Sequence, residues 1–199
     1  LGGYLQAYFQ RTHVVSKRLQ NELRPYLPSA EYVTHGIDGD IFRPLKRDAL
    51  HGRKLRVGWA GNRQTVVKGF DEFIRPLGEL RGVELVFCGY ADRNFELGEM
   101  AEWYRNIDVY VCASLSEGSN NSLLEAAASG CALITTDNGT VPEYLRHEVD
   151  ALIVARDASA FVAAVERLRD DDALRILLGE VATTSVLPAW TWAEKEKEY

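Results

Sequence analysis

The sequence predicts an α/β domain built on a doubly wound parallel sheet, preceded by a short β-α-β phrase. From Lys54 onward, apolar runs alternate regularly with amphipathic helical stretches. The runs are short and continuously apolar, as strands of a parallel sheet must be when both faces are covered. A separate strand-helix-strand pattern fills residues 12–45, before the alternation begins.

The predicted strands of the main sheet are Leu55–Ala60, Val83–Cys88, Val109–Ala113, Ala132–Thr135 and Ala151–Val154. Between the first two, Phe70, Phe73, Ile74, Leu77 and Leu80 mark one helical face, with a kink expected at Pro76. Leu123 to Ala128 begins a second helix that Gly130 stops. Phe161, Val162, Val165 and Leu168 mark a third, which Asp157 should cap. In the front phrase, Thr12–Val15 and Tyr32–His35 read as strands. Ser16 caps the helix between them, and the turn HGIDGD follows.

A chain of 199 residues suffices for one sizeable domain and an appendage. Its net charge of −6 argues against a protein that mainly grips nucleic acid. One basic stretch, Arg43 to Arg56, is either a solvated linker or a patch for anionic lipid or a phosphorylated ligand. Cys88, Cys112 and Cys131 sit in or beside apolar runs without a C-x-x-C spacing, reading as core thiols of a reducing compartment such as the cytoplasm. The opening LGGYLQAYFQ lacks the layout of a signal peptide and reads as an excised fragment.

In a doubly wound sheet, ligands gather at the carboxyl ends of the strands, so the loops there carry the chemistry. GNRQTVVKG (61–69) offers glycines for close backbone approach, with Arg63 and Lys68 as two cations for a diphosphate. It is not a phosphate-binding Walker loop, because G-x-x-x-x-G-K-[ST] is absent. SEGSNNSLLEAAASG (116–130) places Glu117 and Glu125 around a helix N-terminus capped by Ser119 or Asn120. Free N–H groups at such a tip favour an anion. Glu125 can accept two hydrogen bonds from a vicinal diol such as a ribose, and Glu117 can contact a sugar hydroxyl. Carboxylates there also stabilise the helix dipole, the plainer alternative.

Taken together, these loops resemble glycosyltransferase family 4, the group 1 glycosyl transferases of the two-domain GT-B fold. HGIDGDIFRP resembles the family's NGVD-x-x-x-F-x-P junction and GNRQTVVKG its G-R…K-G loop. SEGSNNSLLEAAASGCALITTD resembles its E-x7-E segment, DNGTVPEYL its G-G-x-x-E turn, and TWAEKEKEY the start of its last crossover helix. The resemblance implies a Rossmann-like C-terminal half (46–185), a remnant of the N-terminal acceptor domain (1–45) and the beginning of the crossover helix (186–199).

It further implies a retaining, metal-independent transfer from a nucleotide diphosphate sugar, with no cofactor. Arg63, Lys68 and Glu117 would be catalytic. Gly61, Arg63, Lys68, Glu117, Gly118, Ser119, Asn120, Asn121, Ser122 and Glu125 would bind the donor. The acceptor would sit mainly on the other domain, so the fragment alone should be inactive. A non-catalytic transferase-like subunit and a nucleotide-sugar epimerase remain alternatives, and peripheral membrane contact stays open. Oligomeric state is undecided. Apolar faces of residues 1–45 and of the terminal helix, lacking their usual cover, are expected to rearrange or self-associate.

The interval between Val83–Cys88 and Val109 is shorter than the family pattern, which puts base recognition in question. Tyr90 and Phe95 are candidates to stack on a base, with rim packing the plainer reading. The pairs Asp38/Asp40 and Asp170/Asp172 are rejected as metal sites, because they fall in a turn and between two helices. The four histidines show no ligand spacing.

Overall fold

A computed structural model of the chain describes residues 11–89 and 95–198. In front, β1 (His13–Val14), α1 (Lys17–Leu23) and β2 (Glu31–Tyr32) form a two-stranded parallel unit. The main sheet contains β3 (Leu55–Ala60), β4 (Val83–Cys88), β5 (Val109–Cys112), β6 (Ala132–Thr135) and β7 (Leu152–Ile153). Its strands are all parallel, in the order β4-β3-β5-β6-β7. The chain moves from β3 to one side and then returns to the other, so the order reverses between β3 and β5. That reversal opens a crevice at the strands' carboxyl ends.

The helices are α2 (Leu97–Arg105), α3 (Asn121–Ala128), α4 (Val141–Tyr144), α5 (Ala158–Asp170), α6 (Asp172–Val186) and α7 (Trp192–Lys195). Strand side chains alternate between two cores. Val109 and Val111 join Phe70, Phe73, Leu77, Phe161 and Leu168 on one face. Tyr110 and Cys112 join Trp103, Tyr104, Leu123 and Leu124 on the other. Each fully buried large apolar side chain contributes roughly 1.5–3 kcal/mol. All three cysteines are buried and free, consistent with small core residues.

The caps fall where local chemistry puts them. Ser16, Asn120, Asp157 and Asp171 each accept a hydrogen bond from a backbone N–H in the helix that follows. The segment after β3 differs from expectation. Instead of a kinked α-helix, Phe70–Ile74 forms a π-helical turn and Arg75–Glu79 a 3-10 turn. Pro76 supplies no N–H, so a regular ladder cannot run through it. The expected apolar face survives, with Phe70, Phe73, Ile74 and Leu77 all buried.

Two expectations about the front of the chain need correction. Several apolar residues of 11–45 find cover within this chain, although Tyr26 and Leu45 stay exposed. Val14, Leu27 and Ala30 form a small core with Leu19 and Leu23, while Ile37 and Phe42 join the main core. Ile37 also forms a parallel bridge with Thr191, so the front segment and the last helix are tied together. Nor is the basic stretch simply a solvated linker. The Arg47 guanidinium donates to the carbonyls of Tyr104, Arg105, Ile107 and Ser129, stitching α2 to the end of α3. No helix among the described residues is long and apolar enough to cross a membrane.

Candidate functional site

Two loops meet over the crevice. After β3, a 3-10 turn (Val66–Lys68) ends at Gly69, whose φ of 66° suits glycine. The Leu115 N–H donates to the Val67 carbonyl at 2.9 Å, joining this loop to the one after β5. Lys68 Nζ then meets Glu117 Oε1 in an ion pair, with side chains 31% and 14% exposed. Ser114 Oγ donates to the same carboxylate oxygen at 2.7 Å. Lys68 and Glu117, far apart in sequence, are thus brought together.

The scaffold beneath this pair comes from two other loops. Thr136 Oγ1, after β6, donates to the Ser114 carbonyl at 2.7 Å. Gly139 packs so close to the loop that an added Cβ would lie 2.8 Å from the Gly118 carbonyl oxygen. Arg156, after β7, donates from Nε to the Ala113 carbonyl at 2.9 Å while its guanidinium lies over Phe73, 4.4 Å from the ring centroid. No sequence pattern singled out Arg156, because its role is defined by residues 43 and 83 positions away.

Arg63 sits on the first loop with its guanidinium 4.7 Å from the Phe87 ring centroid and 5.8 Å from that of Phe70. It stacks on the rim formed by β4 rather than joining the Lys68–Glu117 pair. Gly61, where β3 ends, donates its N–H to the Cys88 carbonyl at 3.0 Å. Gly89 lies so near that a Cβ there would fall 2.0 Å from the Gly61 carbonyl oxygen, leaving no room for a side chain.

On the other side, Gly118 leads to the tip of α3 and touches the front segment, where an added Cβ would lie 3.0 Å from Val15. Ser119 Oγ donates to Asn121 Oδ1 at 3.0 Å, and His35 Nδ1 lies 3.3 Å from the same atom. Asn120 is the cap, accepting from the Leu123 N–H while its own amide donates to Cys112 Sγ. Ser122 lies beside Tyr110. Glu125, on the second turn, accepts a hydrogen bond from the Tyr104 hydroxyl at 2.9 Å. Burial pushes its carboxyl up to about 7, against the opposing effect of that hydrogen bond.

The front segment closes one edge of the site. Glu143, in α4, accepts from the Lys17 N–H at 2.8 Å and from the Tyr32 hydroxyl at 2.6 Å. Arg18 pairs with Asp137 at 2.6 Å. Of the two base-stacking candidates, Tyr90 lies outside the described residues, and Phe95 packs beside the core near Trp103. Among the described residues no group of three or more His, Cys, Asp or Glu is placed to hold a metal. The D-x-D carboxylates have structural partners: Asp38 accepts from backbone N–H groups, Asp40 pairs with Arg43, Asp170 with Arg169 and Asp172 with Arg175.

Fold and site together define a doubly wound α/β domain whose polar loops converge where the strand order reverses. Residues 54–171 match the family described as glycosyl transferases group 1, and the chain belongs to that family. It is 30% identical over 190 residues to a lipopolysaccharide core biosynthesis mannosyltransferase of Rhizobium leguminosarum, covering 77% of this chain and 53% of that protein. It is 27% identical over 206 residues to a GDP-mannose-dependent phosphatidylinositol monomannoside mannosyltransferase of Mycobacterium tuberculosis, covering 82% of this chain and 53% of that protein. The chain spans about half the length of the curated relatives it matches.

Among solved structures, the C-terminal domain of a group 1 glycosyl transferase from Francisella tularensis superimposes with a TM-score of 0.66 at 23% identity. The match covers 79% of this chain and all of that one. HepE of Anabaena, solved with UDP-glucose, gives 0.75 at 13% identity, covering 98% of this chain and 64% of that one. These likenesses establish the fold, the Rossmann-like C-terminal half of GT-B enzymes.

Proposed function

We propose that the chain is the donor-binding half of a retaining, metal-independent glycosyltransferase that takes its sugar from a nucleotide diphosphate sugar. The observation that carries this reading is the Lys68–Glu117 pair beside the tip of α3. An incoming diphosphate competes with Glu117 for Lys68, and Arg63 adds a second cation. N–H groups at the tip of α3 face the same anion. Released from Lys68, Glu117 holds hydroxyls of the donor sugar, and Glu125 holds the ribose. As the bond from sugar to diphosphate breaks, Lys68 and Arg63 neutralise the charge growing on the leaving group.

In this reading residues 1–45 belong with the acceptor half, 46–185 form the donor domain and 186–199 begin the crossover. Since one relative is named GDP-mannose-dependent, GDP-mannose is the first donor to try. The test is titration of the isolated chain with GDP, UDP, ADP and GDP-mannose, followed by NMR. Binding at roughly micromolar to millimolar strength, with shifts in the 61–69 and 117–125 amides, is expected. If all four ligands leave these amides unmoved, the donor reading is wrong.

A further inference from the structure

The opposite end of the sheet holds a second concentration of charge. Ahead of β3 and β5, at their amino ends, a cavity of about 640 Å³ is lined by Lys46, Arg47, Arg53, Arg56, Arg105 and His51, with Asp48 and Asp108 as its acids. Five permanent cations and two carboxylates line this cavity, with Glu84 beside Arg56 and Glu102 beside Arg105, on a chain whose net charge is −6. The strand β3 separates it from the donor crevice by roughly 20 Å, at about 3.3 Å per residue.

Part of this charge is structural. Arg47 is spent on four carbonyls, and Arg53 grips Asp108 with two parallel hydrogen bonds of 2.7 and 2.6 Å. Arg56 and Lys46 are less fully engaged. Arg56 Nε is buried without a hydrogen-bond partner and faces Glu84 only across 3.7 Å. A buried donor left in this state calls for an acceptor. Lys46 is exposed at the rim, and Arg105, which donates to the Ile41 carbonyl at 3.0 Å and lies 3.5 Å from Glu102, also lines the cavity. The wall between Lys46 and Arg53 is strained, because His51 adopts a φ of 49° that only glycine takes freely. Strain of this kind collects where a ligand is held.

We propose that this cavity is a second anion site, one that takes a phosphate group through Arg56, Lys46 and Arg105. Guanidinium forks match phosphate oxygens, and a mobile lysine at the rim suits a ligand that enters from solvent. The site stands independently of the donor reading, because it shares no residue with the crevice. The phosphate arrives either free, on a soluble molecule, or as a lipid headgroup.

Two arms test it. In the first, inorganic phosphate is titrated into the chain and the backbone amides of His51, Gly52 and Asn106 are followed by NMR. Saturable shifts should appear there, persist in Lys68→Ala, and weaken about 10-fold or more in Lys46→Glu and in Arg56→Gln, as loss of a charged contact requires. A Lys46→Arg variant should retain them. If those amides stay still while phosphate saturates only the 61–69 loop, or if neither substitution weakens the response, the proposal is overturned. In the second arm, the chain is mixed with vesicles of phosphatidylcholine, with and without phosphatidic acid. Flotation that needs phosphatidic acid and fails in Lys46→Glu assigns the phosphate to a headgroup. A phosphate response in the first arm without flotation assigns it to a soluble ligand.

Discussion

The Lys68 ammonium and the Glu117 carboxylate neutralise one another at the mouth of the crevice, both substantially shielded from water. In the proposed function, an anionic donor competes with Glu117 for the lysine. The two partners therefore affect different ligands in different directions.

Replacing Lys68 with Ala should weaken binding of both nucleotide diphosphate and nucleotide sugar by about 10–100-fold, the loss expected for one charge-assisted contact. Replacing Glu117 with Gln should strengthen binding of the bare diphosphate several-fold, because Lys68 is released and a like charge is removed. The same change should weaken the sugar nucleotide, which loses its hydroxyl partner. Calorimetry with GDP and GDP-mannose checks both signs. Parallel changes for the two ligands in Glu117→Gln would rule out a sugar role for that carboxylate.

Glu125 makes a pH prediction. Its folded pKa of about 7 lies above its ordinary value of 4.5, so the folded chain prefers the neutral acid. That contribution is complete below pH 4.5 and is lost as the pH rises through about 7, by on the order of 3 kcal/mol at most. Glu125→Gln keeps the neutral shape at every pH. Melting curves of the two proteins should therefore agree near pH 4.5 and separate towards pH 8, the Gln variant being the more stable. A constant gap across this range would contradict the assignment.

Glu143 holds the front segment by two hydrogen bonds, so Glu143→Ala should loosen it without unfolding the main sheet. Hydrogen exchange of the amides in β1, α1 and β2 should quicken about 10-fold or more, given roughly 1.5–3 kcal/mol for a charged contact. Amides of β5 and β6 serve as the internal control and should not change.

Gly89→Ala places a methyl group against a backbone oxygen that has no rotamer to move to. We expect a loss of roughly 3 kcal/mol, at the high end for overpacking, seen as a lower denaturation midpoint. Gly98→Ala is the control, since an added Cβ there meets nothing within 4 Å. Equal stability for the two variants would show that β3 and β4 can separate cheaply at their ends.

Sequence pattern carried the sheet well, because central strands covered on both faces must be largely apolar: 109–112 and 132–135 are buried throughout, while 55–60 and 83–88 are apolar except for Arg56 and Glu84 near their starts. Caps were equally legible at Ser16 and Asp157, and at Asn120 as one of two adjacent candidates, since a cap is a local hydrogen bond. What stayed hidden was whatever depends on distance. Nothing near Glu125 announces Tyr104, 21 positions earlier and on another helix. Arg47 looked like a linker charge, and only the folded chain surrounds it with carbonyls. The 70–79 segment misled in a different way. Its apolar spacing is right, but one spacing is compatible with several coil widths, and Pro76 and Gly69 select the irregular ones.

The tie between Ile37 and Thr191 has a mechanical consequence. The Ile37 N–H donates to the Trp190 carbonyl at 2.9 Å and the Trp192 N–H returns to the Ile37 carbonyl at 3.0 Å, while Gly36 leaves no gap beside Trp192. Two passes of the backbone are thus riveted side by side at one corner of the domain. Such a doubled strap resists being splayed, because both backbone hydrogen bonds must break before the passes part. Anything joined through either pass is therefore anchored at that corner, two residues from His35 and its contact with Asn121 at the tip of α3.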